Sequence, residues 1–226
     1  MAEYLSKRKL YEKIDTIREL FGIPVGRFHL NMKTILNPYF GVNIGTKDFR
    51  THGLRGMACL ATAPDECDVI LLNSRRTERE QNFDCCHEMV HLFVDRDENR
   101  QSFTCFDRVT DKQDSYLEWH ANEGGAQFLV PYQTFIPVFT GCLEELQQHH
   151  DFDLYEYLSD TYQVSTRVIE IRIDNLSYEI DQYRSGVMMD KLEILSRTQL
   201  QRKGITPTNY RAICAFLPGW DSTIWA

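Results

Sequence analysis

The sequence predicts an α+β fold: a small, mostly antiparallel sheet packed with a helix that carries His87-Glu88-Met89-Val90-His91 and with further helices. Three observations point there. Short runs of strand-forming residues, separated by Pro, Gly, Asn and Asp, fill much of the first third of the chain. A capped helical segment follows the last of these runs directly, and beyond Pro131 the chain is helical again.

In order, residues 3–21 have helical spacing (Tyr4, Leu5, Leu10, Ile14, Ile17, Leu20) and end at Phe21-Gly22-Ile23-Pro24. Residues 25–30, 40–44, 56–61 and 67–73 are the expected strands. Thr77 and Glu80 have capping-box spacing, so a helix is expected from there to about Val94. Phe83, Cys86, Val90 and Phe93 give it a buried face, with His87 and His91 at the border. Residues 95–113 are charged and lack periodicity, which predicts a connecting loop. A second helix starts at Asp114 or Ser115 and stops at Pro131. Its adjacent Gly124 and Gly125 cost about 1 kcal/mol each against alanine, a cost that close approach of another backbone, here the motif helix, would explain. His149-His150 reads as surface, since neighbouring residues do not share a helix face. Residues 187–203 form an amphipathic stretch, and the apolar tail after residue 213 (Phe216, Leu217, Trp220, Trp225) is expected to pack back on the domain.

The chemistry lies in the motif. On a helix, positions i and i+4 share a face, so His87 and His91 can grip one metal ion, and H-E-x-x-H is the zinc-hydrolase pattern. Zinc brings the pKa of its water near 7, and Glu88 is placed to take the proton as general base. Catalytic zinc needs a third protein ligand. On the second helix Glu118, Asn122, Gly125 and Leu129 share a face, which favours Glu118 as ligand with Asn122 hydrogen-bonding behind it. Spacing alone leaves rivals. Ser115-x-x-Glu118 is itself a capping-box spacing, and His120 and Glu123 lie on other faces of the same helix.

The order of these pieces resembles the ImmA/IrrE family of metallopeptidases, regulatory zinc proteases of bacteria and their mobile elements. Phe83 stands four residues before His87, H-E-x-x-H follows, and Glu118-x-x-Ala121-Asn122 with Leu129 and Pro131 resembles the family's second helix. Leu54-Arg55-Gly56, then Val164-Ser165 and Arg172-Ile173, fit further family elements, over roughly residues 10–180. Departures are Gly124-Gly125 for the usual Phe-Ala, Cys85-Cys86 for a small apolar pair, and Val90 for glycine. The resemblance implies a zincin-like domain over residues 1–183, with a C-terminal helix and tail at 184–226. It further implies zinc held by His87, His91 and Glu118, and as substrate a regulatory protein such as a helix-turn-helix repressor. Tyr116 and His120 are the candidates for stabilising an oxyanion.

Composition bounds the alternatives. A net charge of −8 speaks against a generic nucleic-acid surface. Residues 158–176 have helix-turn-helix rhythm, but Glu170 and Asp174 among the arginines are poor for phosphates, so direct DNA binding is the lesser reading. A zinc-binding regulator without proteolysis is the other rival. Seven cysteines without a C-x-x-C framework read as reduced, mostly buried small hydrophobes, with Cys85 or Cys86 a minor candidate for an extra metal ligand. With a polar N-terminus and no run of 18 apolar residues, the expectation is a cytoplasmic protein without a membrane span.

Overall fold

A computed structural model describes residues 5–39, 41–97, 100–108, 110, 113–148 and 152–216. The first helix, α1 (Lys7–Leu20), is capped by the Ser6 hydroxyl and buries Leu10, Tyr11, Ile14 and Ile17. After α2 (Met32–Tyr39) come β1 (Asn43–Lys47), β2 (Leu54–Cys59) and β3 (Val69–Asn73). The motif helix α3 (Glu78–Phe93) precedes β4 (Ser102–Phe106), and α4 (Ser115–Leu129) carries Glu118. The remaining helices are α5 (Tyr132–Gln148), α6 (Leu154–Tyr162), α7 (Thr166–Asn175), α8 (Ser177–Arg184), α9 (Arg197–Lys203) and α10 (Tyr210–Phe216).

The four strands lie in the order β1-β3-β2-β4. β1 runs parallel to β3, while β2 is antiparallel to both β3 and β4, with an irregularity between Leu54 and Gly56. The sheet is thus mostly antiparallel, as the sequence predicts. β4 is the edge nearest the motif. Its alternation buries Phe103 and Cys105 towards α3 and leaves Ser102 exposed.

Helix α3 begins with the full Thr77–Glu80 capping box. It is more buried than an amphipathic reading predicts, since every residue from Gln81 to Leu92 is buried. α4 lies against it. A Cβ on Gly125 would stand 3.5 Å from the His87 backbone nitrogen and 3.6 Å from its Cα, ordinary contact with nothing larger accommodated. At Gly124 a Cβ would crowd Ile14 at 3.1 Å and Val90 at 3.3 Å. The two glycines therefore set how closely the helices approach.

A buried polar cluster joins α1, α4 and α7. The Arg172 guanidinium donates to Glu123 Oε1 at 3.0 Å, the Tyr11 hydroxyl at 2.6 Å, Gln127 Oε1 at 2.6 Å and the Val130 carbonyl at 3.0 Å. Asn175 donates to the other Glu123 oxygen at 2.7 Å. Residues 158–176 do form helix, turn and helix, with Gln163 left-handed between them (φ 54°). Yet Ile169, Arg172 and Ile173 of α7 face the core. Its exposed Arg167 is paired with Glu170, and Asp174 with Arg211. No free basic stripe is left along α7 for phosphates.

Four expectations need correction, and one helix, α2, was not anticipated. Residues 25–30 are not a strand: Pro24 and Gly26 break the run, and Arg18 takes the carbonyls of Pro24 (2.8 Å) and Arg27 (2.7 Å) that a sheet partner would need. β1 starts at Asn43 rather than residue 40. α2 was hidden by Pro38; its start is held by Asn82, whose amide oxygen accepts from Met32 N and whose nitrogen donates to the Leu30 carbonyl, each at 2.8 Å. The 95–113 connector contains β4, whose period-two signal is short and embedded in charge. The 187–203 stretch is not one helix: a 3-10 turn (Met189–Lys191) and an extended segment precede α9, which restarts at a Ser196–Gln199 capping box. In that segment the Gln182 side chain accepts from Glu193 N at 2.8 Å and donates to Glu193 O at 2.9 Å, so the backbone needs no helical partner. His149-His150 and the tail from 217 lie outside the described residues. No helix among the described residues is long and apolar enough to cross a membrane.

Two stability outcomes follow from this packing. Arg172→Leu strands Glu123 in the core without its cation, and urea unfolding should show a loss of about 3–5 kcal/mol. Gly125→Ala should change stability by less than about 1 kcal/mol, because helix propensity favours it and a Cβ fits. Gly125→Leu should cost about 1–3 kcal/mol through overpacking against the α3 backbone.

Candidate metal centre

His87 and His91 lie one turn apart on α3, with ring centroids 4.9 Å apart. Glu118 reaches them from the first turn of α4. Its Oε2 lies 3.4 Å from His87 Nε2 and its Oε1 lies 3.8 Å from His91 Nε2. The helix is capped by Asp114, whose carboxylate accepts from Tyr116 N and Leu117 N. Glu118 is thus released from the capping role its spacing allowed. His87, His91 and Glu118 form a buried group able to hold a metal ion.

The other ring nitrogens are already engaged. His87 Nδ1 lies 3.2 Å from Asn122 Oδ1, and His91 Nδ1 lies 3.1 Å from Asp95 Oδ2. Amide and carboxylate oxygens only accept, so both rings carry their proton on Nδ1 and present a lone pair at Nε2. Both Nε2 atoms are buried without a hydrogen-bond partner. Two orphaned lone pairs converging on a carboxylate suit a cation and are poorly suited to anything else. Phe103 stacks flat on His91, with centroids 4.4 Å apart and an interplanar angle of 5°.

Glu88 is fully buried, and neither carboxylate oxygen has a hydrogen-bond partner. Burial, and then the charges of Glu118 and Asp84, push its carboxyl well above the usual range, against the pull of Arg55. Gly56 of β2 sits over it: an added Cβ would come within 3.2 Å of Glu88 Oε1. One turn earlier on α3, buried Asp84 binds Arg55 and, at 2.5 Å, Arg76. Burial tends to raise Glu118, but the facing His87 and His91 rings and the Gln113 side chain outweigh it and hold the carboxyl low. Burial lowers His87.

Of the two oxyanion candidates, Tyr116 turns to the N-terminal segment, where its hydroxyl binds the Leu5 backbone, donating to the Leu5 carbonyl at 3.0 Å. His120 Nδ1 lies 2.7 Å from Asp95 Oδ1. The other potential third ligand, Glu123, is consumed by Arg172 and Asn175. Two residues escaped the sequence reading. Asp95 lies just past the helix end at His91 + 4, a spacing that could have been noticed. Cys105 lies in the unpredicted β4, with its sulfur grouped with His87 and Glu88 within 4.8 Å. Burial raises its thiol far above the ordinary range, which keeps it out of the thiolate form a nucleophile needs. Cys85 and Cys86, also buried, are raised by burial too and belong to neither ligand group.

The model of the IrrE N-terminal-like domain, a peptidase family, matches residues 38–174, and the chain belongs to that family. The match begins in α2 and ends in α7, so it holds the sheet and both helices of the centre. Among solved structures, a Mycobacterium tuberculosis transcriptional regulator aligns with a TM-score of 0.47 at 16% identity, over 75% of this chain and 47% of that chain. The chain therefore spans about half the length of that protein. No curated protein matches.

A divalent ion filling this group should stabilise the fold by about 2.7 kcal/mol at a free concentration one hundred times its Kd. The thermal midpoint should rise on adding zinc and fall back with chelator. The shift should shrink or vanish in Glu118→Ala.

Proposed function

We propose that the protein is a zinc-dependent endopeptidase that cleaves a regulatory protein, a helix-turn-helix repressor being the expected substrate. The observation that carries this reading is the pair of buried, unpartnered Nε2 atoms facing the Glu118 carboxylate beside an unpartnered, buried Glu88. The donor set fits the metal: a tetrahedral ion with bonds of about 2.0–2.1 Å spaces its ligands by about 3.3 Å, close to the 3.4 and 3.8 Å found here. When bound, zinc would polarise the scissile carbonyl and acidify a water molecule.

The chain's residues supply the remaining roles. His87, His91 and Glu118 hold the ion. Glu88 accepts the proton of the attacking water and returns it to the leaving amine. Its carboxyl, raised by burial and by neighbouring acids, becomes a usable base once a cation offsets those like charges. Asn122 orients His87 by accepting from its Nδ1–H. Among the described residues no strand pairs with the outer edge of β4, where the Thr104 carbonyl accepts from Gln113 Nε2 at 2.7 Å, and an extended peptide that displaces this contact could add there by main-chain hydrogen bonds.

The test pairs the zinc-loaded protein with the helix-turn-helix protein encoded beside its gene, followed by intact-mass spectrometry. A single discrete cleavage is expected. Glu88→Gln should retain one zinc per chain while the rate falls by about 10²–10⁴-fold. Cleavage undiminished in Glu88→Gln, or wild-type protein that binds no zinc, would sink the reading.

A further inference from the structure

Asp95 is buried at the end of α3 and touches two histidines at once. Its Oδ2 lies 3.1 Å from His91 Nδ1 and its Oδ1 lies 2.7 Å from His120 Nδ1. All three residues are buried, His91 at 0%, His120 at 1% and Asp95 at 7% exposure. A carboxylate between two Nδ1 atoms accepts from both, which fixes the tautomer of both rings. The Nε2 of His120 is buried and without a hydrogen-bond partner, so Asp95 is the polar group that holds this ring.

Packing holds the chain of contacts in place from both ends. Phe103 covers one face of His91, and the Tyr116 ring lies 4.3 Å from that of His120. Tyr116 is itself tied to the Leu5 backbone. The proposed metal site is thereby connected, through side chains alone, to the N-terminal segment and to the start of α4.

We propose that Asp95 and His120 are positioning residues for the metal centre: Asp95 holds His91 with its Nε2 lone pair facing the ion, and His120 holds Asp95. This rests on the metal-site reading above and assigns His120 a role exercised through Asp95. A carboxylate behind a ligating histidine typically supports metal affinity by 10–100-fold. His120 acts only through Asp95, so its effect is smaller and disappears when Asp95 is absent.

The experiment is a zinc competition titration against a chromophoric chelator on wild type, Asp95→Ala, His120→Ala, His120→Asn and the double alanine variant. Thermal midpoints of the metal-free proteins are measured alongside. Asp95→Ala should bind zinc about 10–100-fold more weakly. His120→Ala should lose several-fold, and His120→Asn, whose amide can donate from near the Nδ1 position, should recover most of it. The double variant should match Asp95→Ala. These losses should persist when metal-free stability is unchanged, which a merely structural role would not produce. Wild-type affinity in Asp95→Ala, or an undiminished His120 effect in its absence, would overturn the proposal while leaving the metal site standing. Wild type that binds no zinc would remove both. If Asp95→Ala does not fold, His120→Ala against His120→Asn still decides: equal affinities in those two overturn the role of His120.

Discussion

Burial of the motif helix on all sides is the constraint from which the site follows. A surface helix can leave its polar side chains to water, but α3 cannot, because Gln81 to Leu92 all lie inside. Each polar atom there needs a protein partner or a ligand. Asn82 satisfies itself on the backbone around α2, and Asp84 on Arg55 and Arg76. His87 and His91 spend one nitrogen each on Asn122 and Asp95. What remains unpaired on the motif is both Nε2 atoms and both oxygens of Glu88, gathered beside Glu118. The centre is thus defined by subtraction.

The helices beyond Pro131 serve that centre at a distance. Glu123, one turn past Trp119 on α4, is pinned by Arg172 of α7 and by the Tyr11 hydroxyl of α1. The same guanidinium satisfies the Val130 carbonyl at the end of α4. α4 is therefore clamped at its middle and its end while its first turn carries Glu118. A helix-turn-helix that presents its second helix to DNA must leave that helix's outward face charged and free. Here α7 spends its central Arg172 in the core and its outer Arg167 on Glu170, while Arg211 of α10 covers Glu170 and Asp174. The motif's rhythm has been put to use as packing.

Those parts of the molecule whose signal is local were legible in the sequence. The capping box at Thr77 and the i, i+4 histidines rest on contacts within a few residues, and the paired glycines on the close approach of another helix, tightest at Gly124. Glu118 was separable from His120 and Glu123 only by resemblance, because three faces of one helix look alike until its neighbours are known. Arg172 and Asn175 are what occupy Glu123, and both lie about fifty residues away. The misread segments failed for the same reason. Arg18 dissolves a strand at 25–30 and Gln182 prevents a helix at 193, each by offering a side chain in place of a backbone partner. Such substitutions follow from tertiary contacts, which periodicity does not contain.

Glu88 is the residue on which the choice between a peptidase and a metal-binding scaffold turns. A buried carboxyl without a hydrogen-bond partner costs several kcal/mol relative to water, and a side chain of similar size without charge would avoid that cost. Metal binding by His87, His91 and Glu118 does not need it, since none of the contacts that orient those three involves Glu88. Nor does packing need it: Gly56 leaves just enough room above it, and an added Cβ there would press on its oxygen at 3.2 Å. A side chain at Gly56 would press on both Glu88 and the Leu71 carbonyl, so the strand fits closely over the acid. A buried acid with a space kept beside it supports the proposed role of Glu88 as proton acceptor over the scaffold reading.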